Sequence, residues 1–161
     1  MYCLSCLEIL CSSFAVARYL TQNPLPPNKK VYVIGQRGIS EELDLYNIPN
    51  FGGESSDHNI QLKFGRGVVV EHDPDVAAVV VGFDPDFNYY KLQYAQLCIN
   101  KNKGTQFLAT NLDCVAHVTD AQEWAEAGAM VGAVTAAVGR FVNFLCKHDF
   151  LNSCLLFVLI Y

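Results

Sequence analysis

Val76-Ala77-Ala78-Val79-Val80-Val81-Gly82-Phe83-Asp84-Pro85-Asp86 decides the fold, together with the residues that follow it as far as Asp113. The run from Val76 to Val81 is apolar and rich in β-branched side chains, and it is far shorter than the ~20 residues of a membrane span. Those properties predict a buried strand. Gly82 to Asp86 breaks it, and Asp84 or Asp86 is placed to cap a helix by accepting from the free N–H groups of a first turn. Between Asn88 and Ile99 the side chains of Leu92, Ala95, Cys98 and Ile99 recur at helical spacing and share one face. Lys101-Asn102-Lys103-Gly104 ends that helix. Gln106 to Thr110 is a second short strand, left through Asn111-Leu112-Asp113. Strand, helix and strand over this length form a βαβ unit with parallel strands. Function in such sheets gathers just past the carboxyl ends of the strands. Here those loops are Gly82–Asn88 and Asn111–Asp120.

Working toward the amino end, Lys29 to Ile34 predicts a strand and Gly35-Gln36-Arg37-Gly38 a turn. Ile39 to Tyr46 is a short helix with Glu41 and Glu42 in its first turn, where the helix dipole favours acids. Ser12 or Ser13 is a candidate cap for a helix through Phe14–Leu20, stopped by Pro24, Pro26 and Pro27. Asn50 to Asn59 is a loop of Gly, Ser and Asp, and Val68-Val69-Val70 is a candidate additional strand. Toward the carboxyl end, a last helix is expected near Ala121 to Val138. Alternation of this kind is the signature of a layered α/β domain.

Composition narrows the classes. The chain has 161 residues, 52% of them hydrophobic and 17% charged, enough for one domain with a real core. A net charge of −5 with no basic cluster argues against a nucleic-acid partner. Seven scattered cysteines follow no framework, and reduced thiols in a cytosol-like compartment are the simpler reading. The start, MYCLSCLEIL, has no positive n-region. Phe150 to Tyr161 is uncharged and rich in β-formers, a pairing-prone segment too short to span a membrane.

Four features invite chemistry. Asp84-Pro85-Asp86 after a strand matches the spacing of an aspartyl nucleophile and its acid–base partner, but a capping turn is the commoner use of Asp there. Cys3-x-x-Cys6 has no second pair, and His58, His72, His117 and His148 show no ligand spacing, so inert thiols and no metal site are expected. Gly35-Gln36-Arg37-Gly38 lacks the phosphate-loop patterns and reads as a βα turn, with Arg37 available to an anion. The strongest candidate is Asn111-Leu112-Asp113 with His117, Thr119 and Asp120, which gathers amide, carboxylate, imidazole and hydroxyl groups beyond a buried strand. Its plain alternative is a polar connection in which Thr119 and Gln122 form a capping box.

GFDPDFNYYKLQYAQLCI, FLATNLD and HVTDAQEWAEAGAMVGAV also carry a family resemblance, extending back through EHDPDVAAVVVGFD and KKVYVIGQRGI to SSFAVARYL. Over roughly Glu8 to Arg140 the chain resembles the eukaryotic 2-phosphoglycolate phosphatases of the haloacid-dehalogenase superfamily. Close relatives in that group act on p-nitrophenyl phosphate and pyridoxal phosphate. The resemblance implies a C2-type cap domain, a mostly parallel sheet with flanking helices, plus incomplete pieces of the Rossmann-like core. It divides the chain into a leader over 1–11, a cap over 12–120, a returning core segment over 121–140 and a divergent apolar tail over 141–161.

The resemblance places FDPDFNYYK at a strand-to-helix turn of the cap, not at the nucleophile. It implies Asn111, Asp113 and His117 as the loop that reads the substrate's non-phosphate end. The family's aspartyl nucleophile, phosphate-gripping Ser or Thr, charge-offsetting Lys and acidic pair for Mg²⁺ have no counterpart here. The chain thus reads as a phosphatase truncated at both ends, with no catalytic residue and no Mg²⁺ site of its own. Its substrate in the complete family is a small phosphorylated metabolite. A cytoplasmic location fits the absence of a targeting segment, and an organellar form of the family stays open. Two other readings are an interaction module, pairing through the cap as a homo- or heterodimer, and an independent small α/β binding domain.

Overall fold

The structure, a computed structural model, describes residues 11–54, 60 and 62–139, and the backbone of 143–144. Its frame is a five-stranded parallel sheet in the order β2-β1-β3-β4-β7, formed by Asn50–Gly52 (β2), Lys30–Ile34 (β1), Val76–Val81 (β3), Gln106–Ala109 (β4) and Asn143–Phe144 (β7). The expected βαβ unit is there: β3 lies parallel to β4, joined by the helix Tyr89–Lys101 (α3), and β3 is the central strand. A strand covered on both faces needs apolar side chains pointing both ways, which is why Val76–Val81 reads as a continuous run.

Alternation then sorts the strands' side chains into two cores. Tyr32, Ile34, Val79, Val81, Phe107 and Ala109 pack beneath α3 and the helix Ala127–Val138 (α4), with Tyr94, Ala95, Cys98, Ile99, Val131 and Val134. Val31, Val33, Ala78, Val80 and Leu108 face the helices Ser12–Gln22 (α1) and Arg37–Leu45 (α2), through Val16, Ala17, Leu20, Ile39 and Leu43. The register shifts by one between Lys30 and Val31, so that Val76 and Ala78 are their partners and Ala77 bulges out.

Burial sets the chemistry of the α3 face. It pushes the Cys98 thiol and the Tyr94 phenol each up to about 12. At the amino edge, the hydrogen bond from Lys30 at 2.6 Å, with help from the Asp75 backbone, holds the Asp73 carboxyl below its usual value.

Several boundaries differ from expectation. Neither Ser12 nor Ser13 caps α1: both lie inside its first turn, and Cys11 stands at the N-cap without a side-chain cap bond. Because α2 begins at Arg37, Glu41 sits a full turn in and pairs with Arg37 at 2.8 Å rather than meeting the helix dipole. Asn50–Gly52 is an edge strand, not loop. Val68–Val70 forms no strand: it follows the turn at Gly65–Gly67 and lies along α3, lining a groove with Tyr89, Gln93 and Leu97. Asn88 caps α3 by accepting the Lys91 N–H, in place of Asp84 or Asp86. The last helix starts at Ala127, after a two-stranded antiparallel ribbon of Val115–Ala116 (β5) and Trp124–Ala125 (β6). Cys3, Cys6, His58, His148 and the apolar tail lie outside the described residues.

Candidate functional site

At the carboxyl edge of the sheet the strands hand over to their loops in register. Gly82 N–H donates to Ile34 O at 2.8 Å, Gln36 N–H to Phe83 O at 3.1 Å, and Thr110 N–H to Val81 O at 3.0 Å. Gly82 has no room for a side chain, since a Cβ there would lie 2.7 Å from Ile39 Cδ1 and 3.0 Å from Thr110 Oγ1. Two loops leave this edge side by side, and they differ in kind.

The loop after β3 is built around Asp84. Its side chain and that of Lys91 are each 1% exposed, and Lys91 Nζ donates to Asp84 Oδ2 at 2.7 Å. Asp84 Oδ1 accepts the Asp86 N–H at 2.9 Å, while the Asp84 N–H donates to Met130 Sδ on α4. A nucleophilic carboxylate needs an oxygen open to the phosphorus atom. Both oxygens of Asp84 are engaged inside the protein, so Asp84-Pro85-Asp86 is neither a nucleophile motif nor a helix cap. It is a turn clamped to α3 by a buried ion pair. Buried charge is tolerated only when paired and hydrogen-bonded, which this pair satisfies.

The loop after β4 is open. Asn111 Oδ1 accepts the Asp113 N–H at 2.9 Å, an Asx turn that swings the chain away from the strand. Asp113 acts through its backbone: its carbonyl accepts the Gly128 N–H at 2.9 Å, so Asn111, rather than the Asp113 carboxylate, fixes this corner. Gly128 must be glycine for the approach, because a Cβ there would meet Leu112 O at 2.4 Å. The Glu126 N–H donates to Cys114 O at 3.0 Å, and the Glu126 carboxylate accepts the Ala127 N–H at the start of α4. On this base stands the hairpin β5–β6, pairing Val115 with Ala125 and Ala116 with Trp124.

Past the ribbon, two cross-chain contacts hold the tip. His117 Nε2 faces Glu123 Oε1 at 3.7 Å, and Trp124 Nε1–H donates to Thr119 Oγ1 at 3.0 Å. His117 and Glu123 are 65% and 62% exposed, and Val115, Val118 and Trp124 are also open to solvent. The capping box expected from Thr119 and Gln122 does not form, because Thr119 belongs to the hairpin and is engaged with Trp124. An exposed imidazole beside a carboxylate can bind a small polar group.

Of the residues singled out in the sequence, Asn111 and Asp113 form the base of the hairpin, and His117 lies at its tip. Trp124, Glu123 and Gly128 complete the site and were not anticipated. The signal for Trp124 was available, since it is the single tryptophan of the chain and ends the quoted TDAQEW segment. Arg37 is exposed at the start of α2 and already holds Glu41. Among the described residues no three of His, Cys, Asp and Glu gather to hold a metal ion. Also among them, no helix is long and apolar enough to cross a membrane.

No family model matches the chain. Individual relatives do. Phosphoglycolate phosphatase 1A, chloroplastic, of Arabidopsis thaliana is 53% identical over 133 residues, which is 83% of this chain and 36% of that protein. Human glycerol-3-phosphate phosphatase is 31% identical over 157 residues, 92% of this chain and 46% of that one. Among solved structures, the p-nitrophenyl phosphatase from Archaeoglobus fulgidus superposes with a TM-score of 0.64 at 22% identity, over 89% of this chain and 45% of that one, a likeness of fold. The chain thus spans less than half the length of the relatives it matches. Over 83% of its length the chain is thus similar in sequence to the phosphoglycolate phosphatases, and it shares the fold of the p-nitrophenyl phosphatases.

Proposed function

We propose that the chain supplies the substrate-reading cap of a phosphatase for small phosphorylated metabolites, with 2-phosphoglycolate as substrate. Residues 12–120 form the cap and 121–140 lead back toward the catalytic half. The observation that carries this reading is the hairpin. It stands at the carboxyl edge, is fixed at its base by Asn111 and Gly128, and leaves His117 exposed. His117 donates to the substrate carboxylate, more strongly when protonated. Names of relatives support the substrate class and differ in its non-phosphate end, glycolate in one and glycerol in another. Phosphoryl transfer itself depends on positioned nucleophile, cation and charge-offsetting groups. The one candidate carboxylate, Asp84, is locked in an ion pair, so the reading assigns recognition to this chain and no chemistry.

The test is a complete family phosphatase carrying Leu108–Gly128 of this chain, with and without His117→Ala. The ratio of kcat/KM for 2-phosphoglycolate to that for pyridoxal phosphate should shift by about tenfold or more on losing His117, equivalent to ~1.4 kcal/mol of differential transition-state binding. An unchanged ratio in a folded enzyme returns the loop to a polar connection, leaving a small α/β domain with no assigned ligand.

A second reading, an interaction module, is favoured by a different observation. A groove of about 310 Å³ runs between the segment Leu62–Val70 and the outer face of α3, lined by Leu62, Phe64, Val68, Val69, Tyr89 and Leu97. Phe64 and Val69 are 77% and 80% exposed. Apolar side chains grouped this way mark association surfaces. The reading assigns the groove to a second family subunit. Copurification with a complete phosphatase that is lost in Val69→Asp supports it, and copurification that survives that change sets the groove aside.

A further inference from the structure

The hairpin carries two braces of unlike strength. His117 and Glu123 are 3.7 Å apart and mostly exposed, a separation and setting in which an ion pair contributes little. The bond from Trp124 Nε1–H to Thr119 Oγ1 is 3.0 Å, within the range of a good hydrogen bond. Ala116 pairs with Trp124 in the ribbon, so the next positions, His117 and Glu123, project to the opposite face. The indole's bond closes Thr119 to Trp124 into a ring. The indole stays 45% exposed, beside Val118. Neither partner is buried, so the brace adds little to the stability of the domain.

We infer that Trp124 and Thr119 are specificity-positioning residues: the indole–hydroxyl brace holds the hairpin tip so that His117 meets the non-phosphate end of the substrate. This rests on the reading of the hairpin as the substrate-reading loop. Recognition by a single donor depends on where it stands, and displacement by an ångström is enough to lose most of its effect. Removing the brace should therefore erode discrimination between substrates even though no contact to substrate has been deleted.

The chain's single tryptophan makes the first measurement direct. In the full chain, Thr119→Val should abolish the near-ultraviolet circular dichroism of the indole, and Thr119→Ser, which keeps the acceptor oxygen, should retain it. Retention of the signal in Thr119→Val would show that bulk, not the hydroxyl, holds Trp124, and would overturn the inference. The second measurement uses the complete phosphatase carrying Leu108–Gly128, with 2-phosphoglycolate and glycerol 3-phosphate as the pair. Thr119→Val should lower the ratio of their kcat/KM values about fivefold or more, with Thr119→Ser restoring it. The control is His117→Ala. If His117→Ala moves the ratio and Thr119→Val leaves it, the brace is ornamental and the inference falls while the reading of the loop stands. If His117→Ala leaves it as well, the loop does not read substrate and both fall.

Discussion

Two loops leave the same edge of one sheet, a strand apart, and carry the same types of residue. The loop after β3 offers Asp84, Asp86 and Asn88; the loop after β4 offers Asn111, Asp113 and His117. In the first, the carboxylate is withdrawn from water and neutralised by Lys91, and the Asp84 backbone N–H donates to Met130 Sδ on α4. In the second, the polar groups face solvent on a finger held by its own turn and cross-strand contacts. Residue type therefore does not identify a site. What separates architecture from recognition is whether the polar atoms already have partners inside the fold.

The largest effect expected from breaking this contrast comes from Lys91. Lys91→Met leaves the Asp84 charge buried and unpaired, and urea unfolding should show a loss of about 3–5 kcal/mol. Pairing it with Asp84→Asn should recover much of that loss, since the uncompensated charge is gone. Next is Gly128→Ala, which forces a methyl group against Leu112 O. Overpacking of about 1–3 kcal/mol is partly offset by a helix-propensity gain of roughly 1 kcal/mol. Hydrogen exchange should report loss of protection at the Gly128 amide before any loss in the sheet.

A smaller effect follows from pH. Burial raises both Tyr94 and Cys98 to about 12, so the folded state favours their neutral forms. Each contribution is complete below the ordinary value of its group, 9.0 for the thiol and 10.0 for the phenol, and is lost as pH rises toward 12. The urea midpoint should fall progressively above about pH 9, and Cys98→Ala should flatten the first part of that fall. The smallest effect belongs to the hairpin tip. Thr119→Val should change global stability by no more than about 0.5 kcal/mol, the range of exposed substitutions, so any change it causes in specificity cannot be assigned to unfolding.

The contrast also explains what the sequence could reveal. Val76–Val81, the helix after it and Gln106–Ala109 were legible because a strand buried on both faces writes a continuous apolar run into the chain and an amphipathic helix writes a period. The burial of Lys91 was not legible: lysine is ordinarily exposed, and only the tertiary position of Asp84 makes its burial tolerable. The hairpin was hidden for another reason. Its strands are Val115–Ala116 and Trp124–Ala125, too short to show alternation, and no Asn-Gly or Asp-Gly turn marks them. Thr119 with Gln122 offered a local capping pattern, and the longer-range bond to Trp124 won. Val68–Val70 misled in the opposite sense, being β-prone but lying against α3 rather than in the sheet. His117 was singled out by its chemistry, and its partner Glu123 emerges only once the chain folds back on itself.

The central proposal is that this chain contributes recognition of a phosphorylated metabolite and no phosphoryl-transfer chemistry of its own. The direct measurement is release of inorganic phosphate by the purified full chain from 2-phosphoglycolate in the presence of Mg²⁺, alongside Asp84→Asn. The account predicts no turnover above buffer for either protein. Turnover by the native chain that Asp84→Asn abolishes would contradict it, because the carboxylate buried against Lys91 would then have to open and attack phosphorus.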